Sequence, residues 1–455
     1  MTKNPTVGNL NVVSPHPSRG PNQLGSLCLT GAPKPHSTPF VFPPSSILCF
    51  PVEIFINILL LAQCDINGRY LNVAVGGDTC IPTLILVSQV CKLWRDVAFA
   101  TPLLWARLSV TINDHSLGAK PIAVLDAFLQ RSKECLLHLD VDIDVGPGVP
   151  LGPLLELLRR HAGRWEDVRL TLSHHHMIRL LAAPLPLPNL VRFYLRTPYG
   201  SESDDSNTPP CITFDAPRLL SVAFDMENIP TASQFRLPWG QLTACQGISG
   251  SVPELLLVLR KLSSARGLEQ CSLVYADESV MLGMHLAQAP VASPTHTRLD
   301  RVCLPSLKKL NIRVDAEDAT TVHLLRSICC PKLQTLTIES LDASPDPELG
   351  AFLERTDSIT HLTLGDVRGV ESIVAHALRV LPRLAQVTIC GACSLDAIKH
   401  VLQCKAGGHG KELRTLMLQD DNYPVFYGAL YHLRSDGSWR FTYIPEFRIS
   451  VLSFI

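Results

Sequence analysis

Cys390, Cys393, His400 and Cys404 come nearest, by type and spacing, to a chemical site in this 455-residue chain. A Cys-x2-Cys pair, then an imidazole and a thiol four residues apart, supply the four soft or borderline donors that tetrahedral zinc needs. His400 and Cys404 would share a helix face, with the Cys-x2-Cys at the preceding strand end. Against a metal, Cys390 follows Ile389 at a regular repeat position, and the spacing matches no familiar zinc knuckle. His174, His175 and His176 are consecutive and point in different directions, with no carboxylate or cysteine at ligand spacing; they are expected as solvated turn residues. Gly407-Gly408-His409-Gly410-Lys411-Glu412 lacks the spacing and the hydroxyl of a phosphate-binding loop, and is expected as a loop before a strand at Leu413. No nucleophile, base and orienting acid can be assembled from local motifs. The expectation is a non-enzymatic chain with no catalytic residue, metal or cofactor.

Composition narrows the classes further. The net charge is −1, which gives none of the electrostatic footprint that phosphate-backbone binding requires, so no nucleic-acid partner is expected. Spanning a bilayer takes about 20 apolar residues. The apolar stretch Ile54 to Ala62 is bounded by Glu53, Asp65 and Arg69, so no membrane partner is expected either. The first residues lack a basic segment followed by an apolar one. The fifteen cysteines, among them Cys91, Cys271, Cys303 and Cys390 inside apolar stretches, are therefore expected to be reduced, in cytosol or nucleus, behaving as small hydrophobes. Apolar residues make up 46% and aromatics 6%, which points to a core of Leu, Val and Ile.

Residues 1–46 carry nine prolines and no periodic apolar pattern, the composition of a disordered tail. From Pro51 the pattern turns helical to about residue 63, with proline in the first turn, where its missing N–H costs nothing. Residues 64–81 contain Asn67-Gly68 and Gly76-Gly77 and are expected as a loop. A second helical block spans about 82–100.

Beyond it runs an internal repeat. The cell apolar-x-x-apolar-x-apolar recurs from Trp165/Val168/Leu170 to Leu413/Leu416/Leu418, and its middle positions are 25, 29, 23, 26, 39, 26, 26, 25 and 29 residues apart. Cell four reads Leu242/Cys245/Gly247. Helical stretches precede many cells, and prolines stand just before the strand in LPNL, APRL, LPSL, CPKL and LPRL, where they stop a helix and favour extended chain. Such units bury their faces only by stacking. The fold class expected is α/β: an N-terminal helical domain, then a solenoid with parallel short strands on one face and helices on the other. The 39-residue step leaves room for a loop at 275–298, and the acidic run 201–210 reads as another.

Phe50-Pro51-Val52-Glu53-Ile54, then Val90-Cys91-Lys92-Leu93-Trp94, then Thr101-Pro102-Leu103-Leu104-Trp105 together resemble an F-box, and the repeats resemble the degenerate leucine-rich repeats of fungal, basidiomycete-type F-box proteins. Phe replaces the usual Leu before the proline, the loop 64–81 is longer than the family's usual connection, and the Asn of the usual leucine-rich cell is missing. The resemblance implies an F-box-like domain at 47–110, a solenoid at 111–422 and a C-terminal aromatic-rich cap at 423–455. It implies docking on a Skp-family adaptor and a cullin ligase through Pro51, Glu53, Ile54, Ile58, Leu59, Val90, Cys91 and Trp94, with the repeats binding a substrate protein. The other reading is a protein-interaction scaffold whose F-box-like helices only cap the solenoid, and a third is an enzyme on a solenoid.

Overall fold

The computed structural model describes residues 51–62, 73–74, 83–112, 119–143, 145, 151–181, 184–197, 212–226, 235–275, 301–314, 321–339, 347–365, 369–390, 410, 412–419, 428–433 and 439–444. The chain divides into Met1–Phe50 and Pro51–Ile455, and every described residue belongs to the second unit. The proline-rich tail, the acidic run and most of the 275–298 loop lie outside the described residues.

Three helices open the unit: α1 (Val52–Ala62), α2 (Thr83–Ser88) and α3 (Lys92–Ala100), followed by a 3-10 turn at Pro102–Trp105. The strands then come in chain order. They begin with β1 (Val73–Ala74), which lies between α1 and α2, β2 (Arg107–Ile112), β3 (Leu137–Ile143), β4 (Trp165–Thr171), β5 (Leu185–Pro186), β6 (Arg192–Thr197) and β7 (Ile212–Asp215). They continue with β8 (Ser221–Met226), β9 (Phe235–Arg236), β10 (Ala244–Gly250), β11 (Gln270–Tyr275), β12 (Val302–Cys303) and β13 (Lys309–Val314). The last are β14 (Ile328–Cys329), β15 (Thr335–Glu339), β16 (His361–Gly365), β17 (Gln386–Cys390), β18 (Thr415–Gln419), β19 (Gly428–Leu433) and β20 (Trp439–Ile444). Fifteen of them form one sheet in the order β1-β2-β3-β4-β6-β8-β10-β11-β13-β15-β16-β17-β18-β19-β20. All pairings to β18 are parallel, and β19 and β20 close the sheet antiparallel.

The repeat cells explain the register. Their middle residues sit opposite one another from Val168 and Phe193 through Val222, Cys245, Cys271 and Leu310 to Leu336, Leu362, Val387 and Leu416. A strand shows alternate residues to one face, so an in-register cell stacks Leu on Leu down the sheet, and these ladder residues join the helix inner faces in one core. Two further cells precede the ten expected: Trp105/Leu108/Val110 and Leu136/Leu139/Val141, with Leu108 opposite Leu139 and Leu139 opposite Val168.

The structure departs from the sequence expectation in four ways. First, the prolines before the strands do more than stop a helix. In Leu187–Leu190, Ala216–Leu219, Leu304–Leu307, Cys330–Leu333 and Leu381–Leu384 the fourth N–H donates to the first carbonyl at 3.1–3.4 Å. Proline thus occupies the second place of a tight turn, which its fixed φ suits. Second, Gly247 is not the third residue of its cell. A bulge lets Ile248 take that place opposite Leu273, and Gly247 absorbs the extra residue at φ +66, where a Cβ would fall 1.6 Å from the Phe224 carbonyl oxygen.

Third, helices do not precede every strand. Helices α4 (Ala119–Arg131), α5 (Gly152–Arg160), α6 (His174–Leu181) and α7 (Val252–Leu262), and later Thr321–Ser327, Pro347–Glu354 and Val370–Val380, cover much of the core. In between, β5, β7 and β9 form an outer parallel sheet instead. Ile212, Phe214 and Ala216 alternate with exposed neighbours, a period of two that a helix cannot bury. Phenylalanine rings fill the space of the missing helix, Phe193 against Phe214 at 5.0 Å and Phe224 against Phe235 at 4.8 Å. Fourth, the expected loop 64–81 contributes β1, which pairs with Val110 and Thr111 as the first strand of the sheet. The segment between the two helical blocks thereby ties them to the repeats.

Trp105 makes a second tie. Its indole is 1% exposed, its Nε1 donates to the Ala98 carbonyl at 2.7 Å, and its ring lies 5.5 Å from Phe99 and 4.8 Å from Phe128 of α4. The Arg131 guanidinium sits 5.0 Å over it. The residue that ends the F-box-like motif is therefore also the first residue of the first repeat cell.

Candidate functional site

Helix α1 is apolar on two sides. Phe55 and Leu59, four residues apart, are buried, at 5% and 3% exposure. Ile54, Ile58 and Leu61 form a second stripe beside it, about a third of a turn around the helix, at 46%, 41% and 76% exposure. A helix hydrophobic all round is normally covered all round, yet the described chain covers that stripe only in part. Val90 in the turn after α2 and Leu93 at the start of α3 are likewise exposed. The turn between α2 and α3 is pinned: Arg95 Nε donates to the Ser88 carbonyl at 3.0 Å, and Ser88 Oγ to the Ile85 carbonyl at 2.7 Å.

Of the residues expected to contact an adaptor, Pro51, Glu53, Ile54, Ile58 and Val90 are exposed, and Cys91 and Trp94 are half-buried. Cys91 is the N-cap of α3, and the Trp94 ring lies 4.7 Å from Phe55. The Pro51 carbonyl starts α1 by accepting from Ile54 and Phe55 N–H groups at 3.0 and 3.2 Å. Leu59 is a correction: it faces the core with Phe55, because four residues along a helix return to the same side. Leu61, Leu93, Phe99 and Leu103 are exposed apolar residues that motif matching passed over; the stripe 54/58/61 beside 55/59 was the available signal.

The sheet offers a second surface, its helix-free face. One row of outward residues is in register as Asp140, Arg169 and Tyr194, and Tyr194 Oη donates to Asp225 at 3.2 Å. Burial, then Asp225, pushes the Tyr194 phenol up. Alongside, Arg192 Nη2 meets Asp167 at 2.7 Å and His138 Nε2 meets Glu166 at 3.2 Å. Burial lowers the His138 pKa against the pull of Asp167 and Glu166. Past the bulge the same row changes character: Ser272, Asn311, Thr337, Thr363 and Thr388, uncharged hydroxyls and an amide. That row is charged at one end and neutral-polar at the other, while Lys309, Arg313 and Glu339 flank its neutral part.

His174, His175 and His176 are not turn residues; they begin α6, and His176 is 0% exposed with Nδ1 2.7 Å from Ser173 Oγ. Of the cysteine and histidine quartet, Cys390 is half-buried at the end of β17; Cys393, His400 and Cys404 lie outside the described residues. Among the described residues no group of three or more His, Cys, Asp and Glu is placed to hold a metal, and no helix is long and apolar enough to cross a membrane.

No family model matches the chain, and no curated protein matches it. Among solved structures it is similar to the leucine-rich repeat-containing protein LegL7 of Legionella pneumophila, at 12% identity, over 77% of this chain and 91% of that one, with a TM-score of 0.35. The solenoid architecture rests on the strand register described above and not on that likeness.

Proposed function

We propose that this chain is a substrate-recognition subunit of an SCF-type cullin ubiquitin ligase, with α1 to α3 docking on a Skp-family adaptor and the helix-free sheet face holding a substrate protein. One observation carries the reading. Nine of the twelve large apolar side chains exposed among the described residues fall between Val52 and Leu103, so the apolar surface is concentrated on the segment that resembles an F-box. Clustered exposed apolar surface is the mark of an intermolecular contact. In this reading Ile54, Ile58, Leu61 and Val90 supply the apolar anchor, Glu53 complements the N-terminal end of α1, and Leu59 and Phe55 hold the helix from behind. In this reading the chain makes no bond to the substrate protein. Its contribution is to hold a substrate near a ubiquitin-charged partner, the entropic part of catalysis, and the Trp105 tie and β1 keep the two surfaces in fixed relation.

Co-purification with a Skp-family adaptor tests this. The native chain is expected to form a stoichiometric complex, and Ile54→Asp with Ile58→Asp to lose it while the far-ultraviolet spectrum stays native. Absence of a complex, or one indifferent to the two aspartates, removes the ligase reading.

A second reading has its own observation: α1 to α3 cover the open end of the first repeat through Trp105, as a cap would. It describes a scaffold without an adaptor, and the same aspartate variants separate the two, because a cap predicts no complex to lose.

A further inference from the structure

Cys303 and Cys329 face one another on the outer side of the solenoid. β12 and β14 pair in parallel with Cys303 directly opposite Cys329. Paired strands lie about 4.8 Å apart, inside the span of about 4.4 to 6.8 Å between Cα atoms that a disulfide bridges. Cys303 beside it adds to the burial that raises the Cys329 thiol; Cys303 is exposed and Cys329 half-buried. Beside the exposed thiol opens a cleft of about 390 Å³ lined by Arg260, Ser263, Arg301, Val302, Cys303 and Pro305. Two guanidinium groups thus stand at the approach to an accessible sulfur, and Arg301 and Arg355 also oppose the burial that raises the Cys329 thiol.

The neighbouring thiols are unlike this pair. Cys245, Cys271 and Cys330 are buried, and burial pushes them up, Cys271 to about 12. Such sulfurs stay protonated and inert, whereas reactive thiols sit exposed among positive groups.

We propose that Cys303 and Cys329 form a thiol–disulfide exchange site that takes an anionic low-molecular-mass disulfide, of which oxidised glutathione is the type, and closes to an intramolecular disulfide. The Cys303 thiolate attacks one sulfur of the small disulfide, forming a mixed disulfide and expelling one small thiolate, which takes up a proton. The Cys329 thiolate then attacks the Cys303 sulfur, releasing the second small thiol. Two protein thiols are oxidised to one disulfide, and one small disulfide is reduced to two thiols. Arg260 and Arg301 hold the carboxylates of the small molecule. The closed bond staples β12 to β14 across the chain that carries β13.

The test uses the full-length reduced chain, oxidised glutathione as probe, alkylation of remaining thiols, and mass mapping of tryptic peptides. Val302–Lys308 carries Cys303 and Ser327–Lys332 carries Cys329. The expected product is these two peptides joined, lighter by two hydrogen atoms, with fragmentation placing the bond on Cys329 and not Cys330. Cys329→Ser is expected to accumulate one glutathione on Cys303, and Cys303→Ser to lose the cross-link. Arg260→Ala with Arg301→Ala is expected to slow glutathione disulfide more than neutral hydroxyethyl disulfide. A bond between Cys329 and Cys330, or full alkylation of both thiols after oxidation, overturns the site. Equal slowing of charged and neutral probes overturns the assignment of an anionic one.

Discussion

Helices α1 and α7 are each eleven residues long and each mostly apolar, yet they are covered differently. In α7 five residues, Leu255, Leu256, Val258, Leu259 and Leu262, are buried against the repeat core, and Leu257 alone among its leucines is exposed. In α1 only Phe55 and Leu59 are buried. The helix α7 also ends its start cleanly, with Ser251 and Glu254 making a capping box, as a helix finished within its own chain does. Apolar content therefore tells how much surface wants covering, and only the fold tells who covers it. For α7 the chain itself does; on α1 the described chain leaves Ile54, Ile58 and Leu61 exposed.

The comparison breaks most visibly under truncation. Leu259→Ala is expected to cost about 2–5 kcal/mol in urea unfolding, since it leaves a cavity. Leu61→Ala is expected to stay within about 0.5 kcal/mol. Equal losses at the two sites would mean that Leu61 is covered after all.

A second substitution sharpens the repeat side. Gly247→Ala places a side chain at φ +66 with its Cβ 1.6 Å from the Phe224 carbonyl oxygen, so the cost is the strain of such a backbone, about 1–3 kcal/mol, plus that of moving the neighbouring strand. The loss should appear in unfolding midpoints and leave adaptor binding untouched.

The smallest effect is one of pH. Burial lowers the pKa of His138, of His161 (together with Arg164) and of His174 (together with His175) below the ordinary 6.5. The unfolded chain then binds more protons than the folded one as the pH falls through 6.5, so stability is full above that value and declines below it. Unfolding curves across that range should show the decline, and His138→Gln should flatten part of it. A flat profile for the native chain would contradict buried neutral imidazoles. The α1 face carries no histidine, so this dependence belongs to the repeats.

The repeat period was legible because the core is built from one residue class at one spacing, and the strands pair at the very residues the spacing names. Two cells were hidden at the start, the first because Trp105 was already accounted for as the end of a motif. The place of Gly247 was not legible, since an extra residue in one strand is visible only against its neighbour. Pattern could not show that Val73 and Ala74 pair with the sheet, because β1 is only two residues long. The outward stripe of α1 was in the sequence; that the described chain leaves much of it exposed could be seen only once the fold was in hand.

Hydrogen exchange of the chain with and without a Skp-family adaptor tests the central claim most directly, because it reads the two kinds of surface in one experiment. The account predicts added protection across 52–61 and 86–103 with the repeat strands from 165 onward unchanged. Protection spread over the repeats with none on α1, or no change anywhere at saturating adaptor, would contradict it.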